Sequence, residues 1–213
     1  MTIKSKIVIW YLWRIIMAVG FTENEKIIIR EKLQSAAQQC LKTYGVRKTT
    51  VEQLTKIAGI SKGAFYNFYE AKEILFFEVL EKFQESIGRH LIQIFMENTL
   101  SKKEAFIQGI FQMYLKTKDS FIVTIMQNND FEYLVRKLPE ELIRSHHSFD
   151  DELAINIFKV LEIKENEKVE VVSAALRAIF LTMLHQKEIG SCYDDALKIL
   201  ITGVANEIFG EGK

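Results

Sequence analysis

The sequence predicts an all-α protein, with a small N-terminal three-helix domain followed by a larger C-terminal helical bundle. Two observations predict this class. The chain of 213 residues has one proline and ten glycines, too few chain breakers for a turn-rich β architecture. Apolar residues also recur at three- and four-residue spacing, as on the buried face of an α-helix. With 48% hydrophobic and 26% charged residues, the composition is that of a folded globular protein.

Residues 7–21 are almost entirely apolar, interrupted by Arg14 and preceded by Lys4 and Lys6. This pattern is partly that of a signal peptide. Against export stand Arg14, the lack of an Ala-x-Ala cleavage site, and a run shorter than the ~20 residues that span a bilayer. Two interpretations stay open: translation starts at Met17, or the segment is an extra helix packed on the protein. We favour the first, because the helical pattern begins at Thr22, and we treat residues 1–21 as an extension without an assigned role.

The first helix is predicted to begin after Thr22 and to end at Gly45. Thr22 and Glu25 have the spacing of a capping box, and Gly45 can adopt the left-handed conformation that stops a helix. Apolar residues lie at helical spacing between them. They are Ile29, Leu33, Ala36, Ala37, Cys40, Leu41 and Tyr44.

Two short helices are predicted next. Thr49 or Thr50 can cap the second helix, Gly59 breaks it, and Ser61 caps the third. The residues expected to face the core are Val51, Leu54, Ile57, Ala58, Ala64, Phe65 and Phe68. Two short helices joined by a glycine turn constitute a helix-turn-helix. Its outward positions are Lys62, Gly63, Tyr66 and Asn67.

The remaining chain is predicted to form a bundle. Helices are expected from about Ala71, after Ser101, from Ser120 to Val135, and after Ser148, and Pro139 marks a break. A long apolar helix is expected at residues 167–185, and a last one, capped by residues 191–194, at residues 193–209. We assign residues 22–72 to the first domain and 73–213 to the second, the boundary falling inside the helix after Ala71.

Positive charge is concentrated at the front of the chain, although the net charge is zero. Residues 22–72 carry nine Lys and Arg against five Asp and Glu, and residues 1–21 add three positive charges. A basic N-terminal part and an acidic C-terminal part favour contact with a polyanion through the first domain alone. Charge by itself leaves open a chance segregation of solvated side chains.

Residues 49–80, TTVEQLTKIAGISKGAFYNFYEAKEILFFEVL, resemble the tetracycline-repressor (TetR/AcrR) family. The turn IAGISKG, the following FYNFY and Lys72 fall together at the family spacing. The sequence departs from the family at Ala64, where threonine is frequent, and at Asn67, where histidine or arginine is frequent. An operator sequence therefore cannot be transferred, since asparagine pairs with adenine.

The resemblance implies that the helix from Ser61 to Tyr69 enters the major groove of a double-stranded DNA operator. Lys62 and Lys72 are then expected to neutralise phosphates, and the Tyr66 hydroxyl to reach phosphate or a base edge. The Thr50 hydroxyl and amide are further phosphate contacts. The full set expected to bind DNA is Thr50, Ser61, Lys62, Gly63, Ala64, Tyr66, Asn67 and Lys72.

The resemblance also implies a homodimer, formed through the last two helices, that reads a palindromic operator. An effector bound in the C-terminal bundle would tilt the helix after Ala71 and release the DNA. Aromatic residues in the middle of the chain suit an unknown hydrophobic small molecule. The residues expected to line its pocket are Phe111, Tyr114, Met126 and Met183.

No pattern indicates an enzyme, a metal site or a cofactor. Cys40 and Cys192 lack a CxxC partner and are expected to be core residues in a reducing cytoplasm. His146 and His147, near Asp150 and Asp151, are expected in a solvated loop rather than a metal site. We expect no membrane partner. The alternative function is a helical small-molecule-binding or scaffold protein whose helix-turn-helix has lost DNA affinity.

Overall fold

A computed structural model describes residues 21–96, 99–144 and 168–210, and this part of the chain is helical and without strands. The first three helices are α1 (Glu23–Lys48), α2 (Val51–Ala58) and α3 (Lys62–Phe65). The long α4 (Lys72–Met96) leads to α5 (Lys102–Lys118), α6 (Phe121–Gln127) and α7 (Asp130–Val135). After residues 140–144, which are helical, come α8 (Lys168–Leu181), a 3-10 turn (Thr182–His185), α9 (Gln186–Ile189) and α10 (Tyr193–Phe209).

Local capping signals start the helices where the sequence predicts. The Thr22 hydroxyl accepts from the Glu25 amide, and the Glu25 carboxylate accepts from the Thr22 amide. Ser101 and Glu104 form the same reciprocal pair at the start of α5. In both pairs, hydrogen bonds from the cap residue hold the pKa of the glutamate below its ordinary value. At Gly45 the backbone leaves helical geometry, with φ of 75°, and the chain resumes helical geometry beyond it.

The described residues form two hydrophobic cores that share α4. Leu75, Phe76 and Val79 of α4 pack with α1, α2 and α3 in the first core, and Leu91 and Phe95 pack with α5, α8 and α10 in the second. Phe83 contacts both cores. A single helix therefore passes from the helix-turn-helix into the bundle. The first core also contains Phe121 and Ile125 of α6, so α6 packs on the N-terminal helices.

Several details differ from the sequence prediction. The helix expected from Ser120 to Val135 is two helices, because Asn129 adopts a left-handed conformation with φ of 51°. The helix expected to reach His185 ends at Leu181 and tightens into the 3-10 turn. Cys192, at the cap position of α10, makes no side-chain capping bond and is exposed, whereas Cys40 is buried and burial raises the pKa of its thiol. The helix expected after Ser148 lies outside the described residues.

Candidate functional site

The second and third helices form a helix-turn-helix whose geometry is set by local bonds. The Thr50 hydroxyl accepts from the Gln53 amide at 3.2 Å, and the Gln53 side chain accepts from the Thr50 amide at 2.7 Å. Gly59 ends α2 with φ of 71°, and the Ser61 hydroxyl accepts from the Ala64 amide at 3.1 Å. The capping roles of Thr50 and Ser61 are thus confirmed. The Thr50 amide is occupied by Gln53, so its predicted phosphate contact would need Gln53 to move.

The third helix is shorter than the sequence predicts. It covers four residues, and the chain continues to Tyr69 through hydrogen-bonded turns, such as Asn67 N to Ala64 O at 3.1 Å. Tyr69 is buried, which draws the end of this segment into the core. Of the residues expected inside, Phe65 is fully buried, while Ile57 is 47% exposed because it lies on the outer side of α2.

Three residues predicted to bind DNA lie together on one cleft. Thr50, Tyr66 and Lys72 line a concavity of about 400 Å³ between the end of α1 and the start of α4. Arg47 also lines this cleft. Arg47 is not among the residues that the sequence predicts to bind DNA, although arginine is a common phosphate contact.

The other predicted contacts lie on the adjoining surface. Ser61, Lys62, Gly63 and Asn67 are exposed, and Ala64 is half-buried. Tyr66 joins this surface to the cleft, since half of its side chain is exposed. We call the cleft together with this surface the helix-turn-helix face.

Lys62 forms an ion pair within this face. Its Nζ atom lies 2.5 Å from Oε1 of Glu52, and both side chains are more than half exposed. The hydrogen bond from Lys62 is the largest influence on the pKa of Glu52, which it lowers, and the same bond raises the pKa of Lys62. The predicted phosphate contact of Lys62 would require this ammonium group to exchange Glu52 for the phosphate.

Lys72 is held by the backbone. Its Nζ atom donates to the carbonyl oxygens of Val46 at 2.9 Å, Thr49 at 2.5 Å and Arg47 at 3.4 Å. Only 17% of its side chain is exposed. These bonds give Lys72 a structural role at the end of α1, and its phosphate contact stays a prediction.

The bundle contains a cavity of about 660 Å³ beside the shared helix α4. Its wall is mostly apolar, with Gln84, Thr117, Asn129 and Glu132 as polar members. Apolar residues come from several helices. They include Phe77, Leu80, Phe83 and Ile87 of α4, Met113 of α5, Ile122 and Met126 of α6, and Phe180 of α8.

One of the four residues predicted to line this pocket does so. Met126 is on the wall, but Phe111, Tyr114 and Met183 are not. Tyr114 is buried in the second core, where its hydroxyl donates to Leu176 O at 2.6 Å and burial raises its pKa. Met183 is buried and Phe111 packs against the same core. Helical spacing identifies an apolar face but does not tell a solid core from a hollow one.

The described residues contain neither a candidate metal site nor a membrane-spanning helix. In the described ranges, no three or more His, Cys, Asp or Glu side chains are grouped so that they could hold a metal ion. His146, His147, Asp150 and Asp151 lie outside those ranges. Among the described helices, none has the length and continuous apolarity that crossing a bilayer requires.

Comparison with known proteins connects this face to a family. Residues 33–79 match the model for bacterial regulatory proteins of the tetR family. YuxN of Bacillus subtilis (strain 168), named as an uncharacterized HTH-type transcriptional regulator, is 27% identical over 141 residues. This alignment covers 64% of the present chain and 46% of YuxN, so the chain spans about half the length of this curated relative.

Solved structures show the same fold. A TetR-family transcriptional regulator from Mesorhizobium loti MAFF303099 superposes with a TM-score of 0.64 at 14% identity, covering 88% of this chain and 97% of that one. Thermus thermophilus FadR, a TetR-family transcriptional repressor in complex with lauroyl-CoA, superposes with a TM-score of 0.54 at 17% identity. Here the coverage is 86% of this chain and 97% of that one.

Proposed function

We propose that this chain is a transcriptional regulator of the tetR family, whose model matches residues 33–79, and that it acts as a repressor that a small hydrophobic effector releases from DNA. In this proposal a homodimer binds a palindromic operator through two helix-turn-helix faces. The proposed DNA contact is supported by the cleft that brings Thr50, Tyr66 and Lys72 together. The exposed residues Ser61, Lys62 and Asn67 lie beside it. Hydroxyl groups and ammonium groups on one surface suit the phosphates of one DNA strand.

The dimer is supported by exposed apolar side chains on the last long helices. Ile199 of α10 is 72% exposed and Leu200 is 47% exposed. On α8, Val171 and Leu181 are also more than half exposed. Exposed apolar side chains on neighbouring helices are usual at the core of an obligate interface. Two copies joined there place two recognition segments on successive half-sites, about 34–36 Å or a multiple apart.

The effector site is supported by the cavity beside α4. A volume of about 660 Å³ is in the range of pockets for small organic ligands. An apolar wall favours an apolar body, and the few polar members would orient one polar end. Since a protein of this fold binds lauroyl-CoA, lauroyl-CoA and lauric acid are the first probes to use.

Fluorescence anisotropy with DNA from upstream of the chain's own gene tests the function. We expect binding that survives physiological salt, whereas scrambled DNA is released as salt rises. Tyr66→Ala should weaken binding to the upstream DNA by about tenfold, the order of one lost hydrogen bond to a charged group. Tyr44→Ala is the matched control, because Tyr44 is a similarly exposed tyrosine on α1 that lies outside the cleft.

Equal binding to both DNAs, lost together as salt rises, would contradict the proposal for this operator. If DNA from the flanking genes also gave only salt-sensitive binding, the alternative of a scaffold or small-molecule-binding protein would be favoured. Addition of lauroyl-CoA to the bound complex tests release in the same cuvette.

A further inference from the structure

A buried carboxylate joins the wall of the cavity to the end of the first helix. Oδ2 of Asp130 accepts from the Val46 amide at 2.6 Å, and Oδ1 lies 3.1 Å from Nε of Arg47. Only 3% of the Asp130 side chain is exposed. A buried charge of this kind is stable only while its partners stay in place.

Residues 45–47, at the end of α1, pack tightly against residues 128–130, at the junction of α6 and α7. A Cβ atom on Gly45 would fall on the Asn128 side chain and 2.5 Å from Oδ2 of Asp130. Arg47 donates from Nη2 to the carbonyl oxygen of Asn129 at 2.9 Å. One turn earlier, the Thr124 hydroxyl donates to Lys42 O at 3.1 Å. Residues 45–47 are thus held against residues 128–130 by several contacts at once.

Each of these segments also faces a functional region. Met126 and Asn129 lie on the cavity wall. Arg47 lies on the cleft with Thr50. The contact of Asp130 with Val46 and Arg47 therefore connects the cavity wall to the helix-turn-helix face directly, beside the connection along α4 from Glu73 to Phe77.

We propose that Asp130 is a positioning residue that couples occupancy of the cavity to the helix-turn-helix. A ligand that displaces the wall at Met126 and Asn129 moves Asp130 away from Val46 and Arg47. The end of α1 is then released, and with it the cap residue Thr50, three positions after Arg47. This route runs through α6 and does not require the tilt of α4. Its effect on DNA rests on the proposed function, whereas the coupling itself does not.

The contact suits a switch because it has few intermediate states. Once the Asp130 carboxylate leaves its two donors, it is stable only in water, and the buried Val46 amide also loses its acceptor. The segment is consequently either docked or undocked, as in other two-state regulatory contacts.

Hydrogen exchange of the full chain tests this coupling without DNA. Met126→Trp enlarges a side chain on the cavity wall and stands in for a ligand, while Asp130→Asn removes the charge. We expect Met126→Trp to speed exchange of the peptide covering residues 42–50 by about tenfold, the order that loss of a hydrogen bond to a charged group allows. Asp130→Asn should speed the same peptide, and adding Met126→Trp to it should give no further increase.

Asp194→Asn is the matched control. Asp194 pairs with Lys118 at 2.7 Å and so joins α10 to α5, not to α1, and its loss should leave the peptide unchanged. The proposal is overturned if Met126→Trp leaves residues 42–50 unchanged, or speeds them equally with and without Asp130→Asn. Met126→Trp alone tests the coupling in an otherwise native chain. The proposal can therefore be contradicted even if Asp130→Asn folds poorly.

Anisotropy with the upstream DNA separates this proposal from the proposed function. Faster exchange in residues 42–50 without any specific DNA binding would support the coupling and contradict the proposed function as a regulator. Specific DNA binding that lauroyl-CoA reverses, with an unchanged exchange rate in residues 42–50, would support the proposed function and contradict the coupling.

Discussion

The ammonium nitrogen of Lys72 lies 2.9 Å from the carbonyl oxygen of Val46, across a separation of 26 residues. The last carbonyl groups of a helix have no partners within the helix, and a lysine can satisfy them. Lys72 therefore fastens the start of α4 to the end of α1, directly before the helix-turn-helix.

Replacing Lys72 by methionine keeps most of the aliphatic stem and removes these bonds. We expect the free energy of unfolding to fall by about 1–3 kcal/mol, because carbonyl groups lose a charged donor. Urea denaturation followed by circular dichroism measures this. Lys62→Met is the control, since the ammonium group of Lys62 bonds the exposed side chain of Glu52. This variant should change the free energy of unfolding by less than about 0.5 kcal/mol. Equal stability of Lys72→Met and the native chain would leave phosphate binding as the role of Lys72, with a salt slope lower by about one.

Removing the carboxylate of Glu52 should release Lys62 for DNA. Glu52→Gln is expected to raise affinity for all DNA sequences at low salt and to steepen the salt dependence by about one ion. Anisotropy titrations with upstream and scrambled DNA at several salt concentrations measure both effects. Glu23→Gln is the matched control, because Glu23 forms a similarly exposed pair with Lys26 at 2.7 Å near the start of α1. A lower affinity of Glu52→Gln would show instead that the pair positions Lys62.

The same ion pair has an expected pH dependence. Because Lys62 lowers the pKa of Glu52, the pair is fully formed above the ordinary glutamate pKa and is lost as pH falls through the lowered value. Lys62→Met should return the pKa of Glu52 towards its ordinary value. Carboxyl-carbon NMR titration measures it, and an unchanged pKa would mean that the pair is absent in solution.

Alanine at Gly45 should destabilise the chain more than alanine at Gly59. Both glycines have φ above 70°, which costs a residue with a Cβ atom about 1–2 kcal/mol. At Gly59 nothing lies within 4 Å of the added Cβ, whereas at Gly45 it would strike Asn128 and Asp130. Thermal unfolding of the two variants compares them directly. Equal losses would indicate that residues 128–130 are not docked on α1 in solution.

A larger side chain at Met113 should block the cavity, whereas the same change two residues away should not. Met113 lies on the wall, and Phe111 lies outside it. Met113→Trp is expected to lower the affinity for the apolar dye 1-anilinonaphthalene-8-sulfonate by tenfold or more, about 1.4 kcal/mol. Phe111→Trp is the control, and fluorescence titration is the measurement. If only Phe111→Trp affected the dye, the original sequence-based pocket would be favoured.

A charge at Ile199 should separate the proposed dimer. Placing a carboxylate at the centre of an apolar interface costs several kcal/mol unless it is paired. Ile199→Asp is therefore expected to sediment as a monomer where the native chain sediments as a dimer. Ile27→Asp serves as the control, because Ile27 is a 58% exposed isoleucine on α1. Dissociation by Ile27→Asp but not by Ile199→Asp would relocate the interface to the N-terminal helices.

The sequence alone determined the helix starts and the turn of the helix-turn-helix. The caps at Thr22, Thr50, Ser61 and the stop at Gly59 each depend on groups within a few residues. Hydrogen bonds over such short separations form whenever the local conformation does. The motifs IAGISKG and FYNFY are local in the same way, and their spacing was enough to suggest the family that residues 33–79 match.

Only the tertiary structure decided which residues meet across long separations. Asp130 and Val46 are 84 positions apart, and no local pattern reveals that one bonds the other. Tyr114 and Met126 both lie on apolar helical faces, but one fills a core and the other lines a cavity. Whether helix faces close on each other or leave a space depends on how all the surrounding helices pack, and periodicity within one helix carries no information about that packing.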